Sequence, residues 1–154
     1  MMGKTARWMR LLGYDVTYFT GQTDKKLMEK AEKENRLILT RDTHLATERA
    51  PDQCFLVHST DFMEQLKKII ERFPLDFNKT FLSRCPHCNV MTETVSKEEV
   101  WDRLPPKVKQ WATTFKVCPK CHHVYWDGTH VRDMLRILKE KIGIEIHPEN
   151  WNPP

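Results

Sequence analysis

No run of apolar residues in this sequence approaches the roughly 18 that a membrane-spanning helix needs, so neither a helical membrane span nor a membrane partner is expected. The N-terminus also lacks the apolar core and cleavage site of a secretory signal. Instead, Gly3-Lys4-Thr5-Ala6-Arg7 leads into an Arg-rich amphipathic segment, so a cytoplasmic or nuclear protein with reduced thiols is expected. Low-complexity tracts are absent, and no internal repeat is longer than a doubled Cys-x-x-Cys. Excess charge is scarce as well. The formal charge is +4, with 13 basic against 12 acidic residues up to Asp76 and 12 against 9 beyond it. Such a balance permits a polyanionic partner without demanding one. What remains is a chain of 154 residues, 40% hydrophobic and 30% charged. That suits one ordinary globular domain or two small ones.

Residues up to 76 alternate helical and strand patterns. Ala6, Trp8, Met9, Leu11 and Leu12 mark an amphipathic helix over 4–12, stopped by Gly13. Val16-Thr17-Tyr18-Phe19 reads as a strand. Leu27, Met28 and Ala31 have helical spacing over 24–34, with Asp24 at the start. Arg36 to Thr40 reads as a buried strand ending at Arg41-Asp42, followed by a short helix over 43–49 and a strand at Cys54-Phe55-Leu56-Val57. Asp61 and Glu64 resemble a capping pair opening a helix with Leu66, Ile69, Ile70 and Phe73 on one face, ended by Pro74. Strands alternating with helices predict a parallel sheet with helices on both faces. Ligands of such sheets bind beyond the carboxyl ends of the strands, where Asp42 falls.

The second half differs. A strand at Thr92–Val95 leads to Ser96-x-x-Glu99, a capping box for a helix carrying Val100, Trp101 and Leu104. Pro105-Pro106 breaks it, and a second helix follows over 107–113. Phe115–Val117 and Val124–Trp126 read as an outgoing and a return strand. Val131, Met134, Leu135, Ile137 and Leu138 define a last helix over 129–142, and the tail from Gly143 to Pro154 is expected to be loosely ordered. The expected division is therefore 1–76 and 77–154.

Cys85-Pro86-His87-Cys88 and Cys118-Pro119-Lys120-Cys121 are two knuckles separated by 29 residues. Each turn can aim two sulfurs at one ion, and two turns complete a tetrahedron. Four thiolates leave no open position, so Cys85, Cys88, Cys118 and Cys121 predict a structural Zn²⁺ site. A redox pair is disfavoured because a thioredoxin-type motif normally occurs once. His87, His122 and His123 are substitute ligands of lower rank, and Cys54 reads as an inert buried thiol within its strand.

Asp24 and Asp42 both fall at one rim of the expected sheet, where carboxylates bind Mg²⁺ or Mn²⁺ through hard oxygens. Such ions activate water for phosphodiester cleavage. Each also has a plainer role as a helix cap, and pattern alone favours capping, as it does for Asp61. Lys4, Arg7 and Arg10 recur at spacing three along one helical edge, a phosphate-contacting edge or simply a solvated one. His130, after Gly128-Thr129, has the same two readings.

These blocks resemble a known family. Gly3-Lys4-Thr5-Ala6-Arg7-Trp8-Met9-Arg10-Leu11-Leu12-Gly13-Tyr14-Asp15 is similar to the opening helix of the PIN-like ribonuclease domain at the C-terminus of the Mut-seven exonuclease. Asp24 through Ala31 and Glu34 to Leu39-Thr40-Arg41-Asp42 is similar to its second block. Arg84-Cys85-Pro86-His87-Cys88-Asn89, Cys118-Pro119-x-Cys121 and Tyr125-Trp126-x-Gly128-Thr129-His130 are similar to its zinc-ribbon block. The resemblance implies a PIN-like parallel sheet with flanking helices, followed by a zinc-ribbon module with a helical insertion. It also implies RNA hydrolysis by a Mg²⁺ or Mn²⁺ cluster that includes Asp24 and Asp42. RNA would be held by Lys4, Arg7, Arg10, Arg41, Trp126 and His130. PIN-like domains often pair, so a homodimer is a further expectation. The sequence departs from the family in two places. The family's opening strand, which ends in an aspartate, is missing ahead of Gly3, and His44 stands where relatives often carry an acidic residue. The alternative is a non-catalytic RNA-binding or adaptor protein on a degenerate PIN-like fold.

Overall fold

The computed structural model describes residues 2–21 and 23–149. Its elements in chain order are α1 (Gly3–Leu11), α2 (Asp24–Lys33), β1 (Ile38–Thr40), α3 (Thr43–Thr47), β2 (Cys54–Leu56), α4 (Phe62–Arg72) and α5 (Phe77–Thr80). Then come β3 (Glu93–Val95), α6 (Lys97–Val100), a 3₁₀ turn at Trp101–Arg103, α7 (Pro106–Trp111), β4 (Phe115–Val117), β5 (Val124–Trp126) and α8 (Thr129–Ile142). β1 and β2 pair in parallel, with Leu39 opposite Phe55. β3, β4 and β5 form an antiparallel sheet with β4 in the centre. The fold is therefore α/β, with a small parallel sheet followed by an antiparallel ribbon.

Side-chain caps start α2, α3, α4 and α6 by satisfying first-turn N–H groups that have no partner within the helix. Asp42 and Asp61 cap α3 and α4. Ser96 and Glu99 form the reciprocal box at α6. Thr23, not Asp24, caps α2 by accepting from the Lys26 N–H, and Asp24 is the first helical residue. Glu64 does not return to Asp61; its carboxylate meets the Ser59 hydroxyl, which also accepts from the Asp61 N–H.

Gly13 closes α1 with φ +102°. A Cβ there would stand 2.5 Å from the Thr80 Cβ and 2.6 Å from the Thr80 carbonyl oxygen. Both the left-handed turn and the close approach of α5 therefore require glycine.

The expected strand at Val16–Phe19 joins neither sheet. A strand needs a partner edge, and the backbone of Val16 is taken up by side chains instead. Its N–H donates to Asn89 Oδ1 (2.9 Å), and its carbonyl accepts from Arg10 Nε (2.8 Å). This segment and β1 both line an open cleft of about 910 Å³, with Ala6, Met9, Ile69 and Phe73 among its apolar walls.

The main core takes residues from both sides of Asp76. Leu12, Leu66 and Ile69 pack with Phe81, Leu82, Val131 and Leu138. A buried Thr5–Gln65 hydrogen bond ties α1 to α4. Ile146 joins this core at 6% exposure, so the tail is docked as far as residue 149. Asn78 fastens it, accepting from the His147 N–H through its side chain and from the Glu149 N–H through its carbonyl. The remainder of the expected loose tail, residues 150–154, lies outside the described residues.

A second cluster, Val100, Leu104, Val108, Ala112 and Phe115, fills the insertion between the knuckles. Trp101 is not part of its buried set. The 3₁₀ turn that begins there leaves it 45% exposed, with Lys97 and Lys109 over its ring.

Candidate metal centre and nucleic-acid interface

The two Cys-x-x-Cys segments fold into the same local structure. The Cys85 carbonyl accepts from the Asn89 N–H, and the Cys118 carbonyl from the His122 N–H. Cys85 and Cys118 each donate their N–H to the carbonyl five residues on, at Val90 and His123. Asn89 (φ +64°) and His122 (φ +61°) take the left-handed conformation that closes each turn. The N–H of Cys88 points at Cys85 Sγ and that of Cys121 at Cys118 Sγ, both at 3.4 Å.

All four sulfurs lie within 4.8 Å of one another, and Cys85 and Cys121 are 3.8 Å apart. A tetrahedron with Zn–S bonds of about 2.3 Å has edges of about 3.8 Å. The donor set and spacing therefore fit a metal such as zinc. Desolvation, followed by hydrogen bonds from Cys121 and Cys118, raises the Cys88 thiol well above its ordinary range. Burial raises Tyr125 too, so it remains a phenol beside Cys85 Sγ (3.1 Å). His87, His122 and His123 do not enter the ligand group. Cys54 is buried in β2, where desolvation raises its thiol.

The first knuckle is braced by α1 and the loop after it. Arg10 Nη1 donates to the carbonyls of Pro86 and His87 (3.1 Å each). Asn89 Nδ2 donates to Asp15 (2.7 Å), whose carboxylate also pairs with Arg36 (3.1 Å). That pairing, with the Asn89 bond behind it, holds Asp15 below the usual carboxylate range. Arg10, expected at RNA, thus has its guanidinium engaged on the protein. The Asp15–Asn89–Arg36 link escaped sequence reasoning. Its single local signal was Asn89, a residue type that tolerates positive φ.

Asp42 follows β1 by two residues and lines the large cleft. Its Oδ1 accepts from the His44 and Leu45 N–H groups, leaving Oδ2 directed elsewhere. Asp24 is exposed at the start of α2 and does not line that cleft. Among the described residues, the four cysteines are the one group of three or more Cys, His, Asp or Glu whose ligand atoms converge. Mg²⁺ often uses only one or two carboxylates and completes its shell with water and substrate phosphate.

The other expected RNA contacts divide. Lys4 lies 3.9 Å over the Phe62 ring, and Arg41 is half-buried on the cleft. Arg7, Trp126 and His130 come together at a second cavity of about 580 Å³ between α1, the first knuckle, β5 and the start of α8.

These features define a small α/β protein whose second half is an antiparallel ribbon gathered at a four-thiol centre. The Mut7-C RNAse domain matches residues 1–138, and the chain belongs to that family. No curated protein and no solved structure matches it.

Proposed function

We propose that this chain is a ribonuclease that hydrolyses RNA with a divalent Mg²⁺ or Mn²⁺ ion at Asp24 and Asp42, and that one structural Zn²⁺ organises its ribbon. The observation that carries this reading is the Mut7-C RNAse match over residues 1–138. When bound, the hard cation supplies an activated water and neutralises charge on the phosphate. Asp42 is oriented for this work by the first turn of α3, which fixes one carboxylate oxygen and leaves the other for a ligand. Residues 1–76 would carry the hydrolytic rim and residues 77–154 the ribbon that holds the strand. Arg7, Trp126 and His130 contact RNA in this reading, with Arg41 at the large cleft and Lys4 over the Phe62 ring. Arg10 acts as a positioning residue through the first knuckle.

The test is cleavage of single-stranded RNA with Mn²⁺ or Mg²⁺ by the parent chain and by Asp42→Asn. Asparagine caps helices as well as aspartate does, so the variant should keep its fold and lose at least about a hundredfold in rate. Undiminished cleavage would remove Asp42 from the site. A second reading, RNA binding without cleavage, draws support from the capping role of Asp42. Salt-sensitive RNA binding with no cleavage under either metal would select it.

A further inference from the structure

The 580 Å³ cavity has a chemistry of its own. Trp111, Tyr125 and Trp126 bring aromatic rings to it, and Arg7, His87 and His130 bring cationic or protonatable groups. Neither aspartate nor glutamate lines it. Arg7 is exposed, and among the described residues no carboxylate pairs with it. By contrast, Arg36 and Arg136 are held by Asp15 and Asp133. Aromatic faces beside a free guanidinium, without competing acids, match a planar ring attached to an anion.

The tryptophans are fitted closely to the backbone between them. At Gly128 a Cβ would lie 2.8 Å from Trp126 Nε1 and 3.5 Å from Trp111 Cη2. Glycine therefore permits Trp126 to lie against the turn before α8. The volume falls within the range of small-molecule sites.

We infer that this cavity is a subsite for one unstacked nucleotide of the bound RNA, an inference that rests on the ribonuclease reading above. The aromatic rings stack the base, and Arg7 with His130 takes the attached phosphate. Single-stranded RNA is recognised by splayed bases stacking in this way. α1 separates the subsite from the hydrolytic rim. Arg7, Trp8 and Leu11 face the subsite, whereas Thr5, Ala6 and Met9 face the large cleft. The nucleotide held here is thus about one helix width, 10–12 Å, from the cleft that Asp42 borders. It anchors the strand away from the bond to be cleaved.

The experiment is titration of the full chain's tryptophan fluorescence with adenosine 5′-monophosphate, adenosine and ribose 5-phosphate. The monophosphate should quench saturably, with the other two at least about tenfold weaker, since each lacks one half of the match. Arg7→Ala should weaken the monophosphate about tenfold and leave adenosine unchanged. Trp111→Ala should weaken both base-containing ligands by a similar factor. Both side chains are exposed enough for circular dichroism to confirm an intact fold. Absence of saturable quenching, or quenching indifferent to both substitutions, overturns the subsite. Equal binding of ribose 5-phosphate overturns the base contact. Asp42→Asn should not alter these titrations. Cleavage that depends on Asp42 without nucleotide binding would sink the subsite alone. Binding without cleavage would sink the hydrolytic reading alone.

Discussion

The four-thiol centre yields a prediction with a number. A regular tetrahedron with the 3.8 Å edge seen between Cys85 and Cys121 has a centre about 2.3 Å from each vertex, which is the Zn–S bond length. An edge at the 4.8 Å limit of the cluster would demand about 2.9 Å, too long for zinc. The sulfurs therefore need to close by no more than about 1 Å to bind zinc. X-ray absorption at the zinc edge, on protein purified without chelator, should find four sulfur scatterers at about 2.3 Å and no imidazole nitrogen at about 2.0–2.1 Å. Cys121 is the exposed ligand, so Cys121→Ser leaves no cavity and tests the bond alone. The parent should hold about one zinc per chain and the variant less than about a tenth of that. Loss of the ion should also blur the near-ultraviolet dichroism of the tryptophans, because β4 and β5 both adjoin the second knuckle. Since the ligands bind as thiolates, affinity should fall as pH falls. A nitrogen ligand from His87, His122 or His123, or full zinc content in Cys121→Ser, would refute the reasoning.

Two further outcomes follow from the fold. Gly13→Ala should destabilise the chain by about 3 kcal/mol in urea unfolding, through both positive φ and collision with Thr80. Gly143→Ala, at φ +81° with open space around it, should cost only about 1 kcal/mol; equal losses would contradict the packing argument. Arg36 holds Asp15 below the ordinary aspartate range. A depressed folded value means that stability is present above the unfolded value and is lost as pH falls through the folded one. Asp15→Asn should therefore flatten the acid side of the stability curve. An unchanged acid limb in the variant would show that the pairing contributes nothing.

Local chemistry was legible where it acts within one turn. Ser96 and Glu99 announced a capping box, and α8 begins and ends at Thr129 and Ile142 as its apolar spacing indicates. Asp24 was misleading because Thr23, one residue earlier, has the extended backbone that lets a side chain turn back to the helix. Val16–Phe19 has strand composition but no sheet neighbour, and pairing is not a property of the segment itself. Gly143 marked a helix end correctly, yet what followed was docked because Ile146 found the core and Asn78 met two backbone N–H groups. For the candidate site, the cysteines stood out by spacing. Arg10 resembled any solvated basic residue, and its contact with the first knuckle spans 76 residues.

By itself, the sequence determined the pieces whose partners are near in the chain: the spans of the longer helices, caps, two matching thiol turns and the carboxylate after β1. Their hydrogen bonds close within a few residues, so residue type and spacing suffice to specify them. The tertiary structure alone decided that the two turns meet, that Arg10 braces one of them, and that Arg7, Trp126 and His130 share a cavity. Those outcomes depend on how α1 packs between α4 and the ribbon. That packing is set by many buried contacts acting together, and no single stretch of sequence encodes it.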